Sequence, residues 1–158
     1  MQVSRRSETS RGFPLAPAGA AGPDAQLLAD RLLAAIEDLR STRRHVAFEE
    51  LFEAFEECGH PGWDGCEALP ISADVFATAR DFLFALPNAF PSPEVSAGEG
   101  GEINLDWFPG PQSNFTVAVL PDRRLIFASV APNRRLRGAE VFEDRVPDAI
   151  LTELRRVF

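Results

Sequence analysis

The residues best suited to chemistry lie close together. Cys58, His60, Asp64 and Cys66 all fall within "ECGHPGWDGCEALPIS", Glu57 to Ser72, and the second histidine, His45, comes a short way before them. Four nitrogen and sulfur ligands are what a structural zinc needs, so His45, Cys58, His60 and Cys66 form one candidate set. The spacing is poor for it, with a single residue between Cys58 and His60 and neither a C-x2-C nor an H-x3-5-H pair. Cys58 or Cys66 with His60 and Asp64 is the catalytic alternative, because a nucleophile needs a base within hydrogen-bond reach and a third group to orient that base. All four sit in one short loop, a weak platform for a fixed geometry.

The same stretch reads more consistently as a structural turn. Gly62 and Gly65 permit positive φ, Asp64 can accept from backbone N–H groups two residues on, and Trp63 can bury a large ring if its indole N–H finds an acceptor. Pro70 keeps Leu69 extended and Ser72 is a good helix N-cap. The turn is therefore assigned to Trp63, Asp64, Gly65 and Ser72, and no catalytic, cofactor-binding or metal-binding residue is assigned.

These residues also carry a resemblance. "GWDGCEALPIS", an amphipathic helix ending "LP", and "PSPEVSAGEGGEINLDW" together resemble a widespread group of small uncharacterised bacterial proteins. Their pattern is a Gly-Trp-Asp-Gly turn, a Pro-Ile-Ser-like helix start, then a Pro-x-Val strand leading through a Gly-rich turn into a Leu-x-Trp-like strand. The likeness spans roughly residues 61 to 130. Cys66 stands where that group has an aromatic residue and Glu67 where it has a small one. The resemblance implies a shared fold and a structural role for Trp63, Asp64 and Gly65, and no activity.

Other chemistry finds little support. Glu49, Glu50, Glu53, Glu56 and Glu57 crowd one helical stretch, but without Glu-x-x-His they read as a solvated helix face, not a di-metal site. "AGEGGE", Ala97 to Glu102, lacks the Lys-Ser/Thr of a phosphate-binding loop and precedes a strand, so it reads as a turn. Arg123, Arg124, Arg134, Arg135 and Arg137 fall near strand ends, where they could rim an anion site. The stacking aromatics of a single-strand nucleic-acid binder are missing around them, since Phe115 and Phe127 fit a core pattern.

The positioning elements follow from periodicity. Residues 1–23, rich in Ser, Arg, Pro, Gly and Ala, are expected to be a mobile tail ahead of one domain over 24–158. Their Ser4–Arg6 "SRR" lacks the apolar run of an export signal. Asp24 is the expected cap of a first helix with a core stripe of Leu28, Leu32, Ala35, Ile36 and Leu39. After a break at "RSTRRH", a second helix is expected to bury Phe48, Leu51, Phe52 and Phe55 and to close at Gly59. A third, from Ser72 to Pro87, buries Val75, Ala79, Phe82 and Leu86. The period then changes to two in "GEINLDWF", "NFTVAVL", "RLIFASV" and, more weakly, "LRGAEVFE". Short connections make these an antiparallel meander. Pro147 opens a last helix with Ile150, Leu151, Leu154, Val157 and Phe158 on one side. The class is α+β: N-terminal helices, an antiparallel sheet of three to four strands, and a C-terminal helix.

Composition narrows the function. The chain has 158 residues and a net charge of −8, with arginine as its only strongly basic residue. Residues 46–106 hold thirteen acidic residues against one arginine, whereas 121–158 hold eight arginines against six acids. An acidic face repels phosphate backbones, so nucleic-acid binding is disfavoured. Two cysteines suit reduced thiols in the cytoplasm, and no apolar run approaches a membrane span. The expectation is a cytoplasmic, non-enzymatic accessory or regulatory protein, antitoxin- or immunity-like. Its acidic face (Glu49, Glu50, Glu53, Glu56 and Glu57) would mask a basic protein partner without a cofactor. A thiol- or zinc-dependent protein built on Cys58, His60, Asp64 and Cys66, and a homo-oligomer using an open sheet face, are the alternatives.

Overall fold

Alternating side chains and short turns produce the central element, a five-stranded antiparallel sheet ordered β1-β2-β3-β4-β5. The computed structural model describes residues 23–158, except for the side chains of residues 23–25 and 40. The strands are β1 (Glu94–Ala97), β2 (Ile103–Gly110), β3 (Ser113–Val119), β4 (Arg124–Ala131) and β5 (Arg134–Val141), flanked by α1 (Pro23–Glu57), α2 (Ala73–Ala85) and α3 (Asp148–Val157). The α+β class is as the sequence predicts, with one strand more than expected. That strand, β1, is four residues long and too short to show a period of its own. The Gly98–Gly101 turn pairs it with β2, with Gly98 N–H donating to Glu102 O at 2.8 Å. The mobile-tail expectation and the export motif fall on residues outside those described.

One face of the sheet is the core. Ile103, Leu105 and Trp107 of β2, Phe115, Val117 and Val119 of β3, and Leu125 and Phe127 of β4 are all buried, at the alternation the sequence predicts. Val75, Ala79, Phe82 and Leu86 of α2 and Ile150 and Leu154 of α3 pack into the same cluster. The α2 ends are as the sequence implies. Ser72 Oγ accepts from Val75 N–H at 3.3 Å, and Leu86, ahead of Pro87, closes the helix by donating to Phe82 O. Between β3 and β4, Asp122 and Arg123 both have positive φ, 62° and 56°, the geometry of a hairpin turn that follows strand twist. Pro109 sits where the β2–β3 register slips between Trp107 and Gly110, because proline has no N–H for the ladder. Gly138 faces the Phe127 ring across β4–β5, and a Cβ there would come within 2.4 Å of it.

The N-terminal helices depart from expectation. One helix, α1, runs through "RSTRRH" without a break. That stretch is polar but contains no proline or glycine. Its arginines are good helix formers, and Thr42 satisfies its hydroxyl by donating to Asp38 O at 2.9 Å. Asp24 is inside the helix, which begins at Pro23, a residue suited to the first turn. The chain divides into two compact units, Met1–Ala35 and Ile36–Phe158. In the first, Leu28, Leu32 and Ala35 are exposed, and in the second so are Ile36 and Leu39, so the predicted stripe is not core.

Further along α1 the core stripe is Ala47, Leu51 and Cys58, with Ala54, Phe48 and Phe55 packed against it. Phe52 is 52% exposed, a correction to the predicted stripe. The buried line runs through alanines because small side chains let the helix lie close to its neighbours. Gly59 follows the helix end for a similar reason, since a Cβ there would lie 2.7 Å from Phe55 O. At the other terminus Phe158 lies beyond α3 and is exposed, also against expectation, while Leu151 and Val157 are partly buried.

Candidate functional site

The Glu57–Ser72 connection is closed by its own backbone. Asp64 Oδ1 accepts from Cys66 N–H at 2.8 Å and Ala68 N–H at 3.2 Å. Gly62 and Gly65 take positive φ, 70° and 82°, and Gly65 N–H donates to Gly62 O. Ile71 N–H reaches back to Cys58 O at 2.9 Å, tying the start of α2 to the end of α1. Leu69 N–H donates to Glu99 O at 2.8 Å, fastening the connection to the β1–β2 turn. Trp63 Nε1–H finds its acceptor within the connection, Leu69 O at 3.0 Å. Its ring is half-buried against the core instead of enclosed between layers. Trp63→Ala should therefore cost about 1–3 kcal/mol, less than a fully buried tryptophan. Urea denaturation checks this, and a variant as stable as the parent would show that Trp63 does not help hold the turn.

The sulfur and imidazole groups are not gathered. Cys58 is buried and Cys66 exposed, both free. Burial, with the neighbouring Glu57 carboxylate adding to it, pushes the Cys58 thiol up, the opposite of what a nucleophile needs. His60 is exposed, and Asp64 is engaged by the backbone of its own turn. His45 lies about 20 Å from Cys58 along the α1 axis and pairs through Nε2 with Glu49 at 3.2 Å. Among the described residues, no three His, Cys, Asp or Glu side chains converge as a metal site would require.

The acidic residues are split by role. Glu50 Oε2 accepts from Val95 N–H at 2.9 Å, covering a free donor on the edge of β1, so it is a structural residue of the sheet edge. Glu49, Glu53, Glu56 and Glu57 are exposed. A groove of about 270 Å³ joins this helix face to the turn. Ala54, Cys58, Trp63, Val95 and Ala97 supply its apolar surface, and Glu50, Glu53 and Glu57 its charge. Phe52 stands exposed on the other flank of α1 from the groove, one turn from Glu49 and Glu56. Sequence reasoning found the glutamates and Trp63 separately and missed both Phe52 and the link to β1. The signal for Phe52 was available, since Ala47 and Ala54 define a narrower buried stripe that leaves it outside.

The arginines are also split. Arg123 donates through Nε to Phe142 O at 2.8 Å and also to Glu143 O, with its guanidinium 5.2 Å from the Phe142 ring centre. Arg134 pairs with Glu153 of α3. Both are therefore occupied within the fold, while Arg124, Arg135 and Arg137 remain exposed. Among the described residues no helix is long and apolar enough to cross a membrane. Comparison of the chain with protein-family models, with curated proteins and with solved structures finds no match.

Proposed function

We propose that the protein is a cytoplasmic, non-enzymatic binding protein whose acidic α1 face masks a basic surface of a protein partner, in the manner of an antitoxin or immunity protein. The observation that carries this reading is the groove between α1 and β1. Its apolar walls and the Trp63 ring suit the methylene stem of an arginine or lysine, and Glu53 and Glu57 suit its charged head. On the opposite flank of α1, Phe52 is an exposed aromatic of the kind that anchors interfaces, set between Glu49 and Glu56, so the partner surface extends around the helix from the groove to reach it. A carboxylate-rich face speeds association with a basic partner and makes it salt-sensitive. The resemblance of "GWDGCEALPIS" to a bacterial protein group fits such a scaffold, with the turn holding Trp63 in place.

The test is co-purification from native lysate at low salt, comparing the parent with Glu53→Gln/Glu57→Gln and with Phe52→Ala. All three positions are exposed, so their thermal midpoints should match the parent. A stoichiometric basic protein retained by the parent, released by salt and lost from both variants is the expected result. Equal retention by all three proteins would overturn the proposal.

A further inference from the structure

The sheet face opposite the core is not the polar surface that an antiparallel sheet usually turns to water. Phe108, Ile126, Val130 and Val141 are exposed on it, with Ala118, Ala128 and Ala139 between the strands' longer side chains. The strand register sets the charges out in rows. Glu94 of β1, Asp106 of β2, Thr116 of β3, Ala128 of β4 and Arg137 of β5 stand side by side, and Thr116 Oγ1–H donates to Asp106 Oδ1. The next row reads Ser96, Asn104, Ala118, Ile126 and Ala139. Beyond it, Glu102 continues the alternation of β2 and Arg124 that of β4. Carboxylates thus collect over β1 and β2, arginines over β4 and β5, and small side chains over β3.

We infer that this face is the self-complementary interface of a homodimer. A two-fold axis lying between two such faces, parallel to the strands and over β3, sets β1 against β5 and β2 against β4 of the second copy. Each row then meets its own reverse. Glu94 faces Arg137, Glu102 faces Arg124, and Phe108 faces Val130, each pair occurring twice. Thr116 and Ala118 on the axis are small enough for the sheets to approach to about 10 Å. Strands about 4.8 Å apart and 25 Å long give each face on the order of 500–600 Å², which places the dimer at the small end of specific interfaces, roughly 1,000–1,200 Å² in total. The charge pairs set the orientation and make the association weaken with salt. Val95 and Ala97 point to the other side of β1 from Glu94 and Ser96, so the dimer leaves the acid-rimmed groove open.

Sedimentation equilibrium of the full chain at low and high salt tests the inference. The parent should form a dimer that dissociates on dilution and with salt. Arg137→Glu and Glu94→Arg should each weaken it by about tenfold or more, since like charges then face each other. The two substitutions together in one chain should restore it, because the exchanged charges again pair. Val130→Glu, in a separate row, should weaken it independently. Circular dichroism confirms that each variant is folded. A monomer at every concentration, assembly beyond two copies, association untouched by these variants, or failure of the double exchange to rescue would each overturn the inference.

Discussion

Trp107→Ala should cost about 3–5 kcal/mol and lower the thermal midpoint by roughly 10 °C or more. Trp107 is the largest fully buried side chain, 2% exposed, on the core face of β2. Its ring lies 5.6 Å, centre to centre, from that of Phe115 on β3, and Phe115 in turn meets Phe127 edge-on at 6.3 Å. Truncation would open a cavity under three strands and remove one arm of this aromatic row. It would also orphan a carbonyl. Trp107 Nε1–H donates to Pro91 O at 2.8 Å, holding the segment between α2 and β1 against the sheet. Thermal and urea denaturation measure the loss. A cost within about 0.5 kcal/mol, as for a surface change, would mean that the ring does not organise the core.

Arg134→Ala should be the most damaging loss of charge. Glu153 points from α3 onto the sheet with its side chain 2% exposed. Arg134 of β5 meets both its oxygens, the Nη2–Oε2 distance being 2.7 Å, while Arg156 lies 3.7 Å from Oε2 but is largely in solvent. The Ser129 hydroxyl, buried without a hydrogen-bond partner of good geometry, lies near enough to favour the carboxylate further. The Arg134 hydrogen bonds hold Glu153 below the usual carboxylate range, against burial, which pushes it up. Removing one member of a buried pair leaves a stranded charge. Because the Arg134 side chain is 37% exposed, solvent screens part of that cost, so the loss is smaller than for a fully buried pair but larger than for an exposed one.

The pH dependence gives this prediction its sign. A carboxyl whose folded pKa is depressed contributes stability above its unfolded value, near 4.3, and loses it as pH falls through the folded value. In Arg134→Ala Glu153 stays buried but loses its partner, so its carboxyl titrates upward and acid relieves its charge. The stability gap between parent and variant should therefore be widest near pH 7, begin to narrow above about 4.3 as the variant's carboxyl takes up its proton, and go on closing as pH falls through the parent's depressed value. Urea midpoints across that range check it, and a gap independent of pH would show that Arg134 acts by packing alone.

Much of this could be read directly. Strands β2, β3 and β4 are visible because alternation is a local property, and Ile103, Leu105, Phe115 and Val117 are buried where period two places them. Ser72 and Pro87 bound α2 through the chemistry of their immediate neighbours. Asp64, with glycines on either side, accounts for the turn around Trp63 without reference to the rest of the chain. Polarity, by contrast, was a poor guide to helix ends. "RSTRRH" looked like a break, yet nothing in it interrupts helical hydrogen bonding.

Local periodicity reports which residues share a face, but not what lies against that face. Phe48, Leu51, Phe52 and Phe55 are all apolar along one side of α1, and only packing decided that the buried line runs through Ala47 and Leu51 and leaves Phe52 in water. Glu50 looks the same in sequence as Glu49 or Glu53, but the approach of β1 made it an edge cap and joined Glu53 and Glu57 to Trp63 in one groove. Glu153 sits on the apolar side of α3, where a carboxylate would be untenable alone, and the register of β5 placed Arg134 against it. The sequence by itself determined strands β2, β3 and β4, both ends of α2 and the antiparallel class, because those depend on neighbours along the chain. The tertiary structure decided which face of α1 is core, which acids are free and which charges are buried in pairs, because each of those depends on residues brought together from distant positions by the sheet.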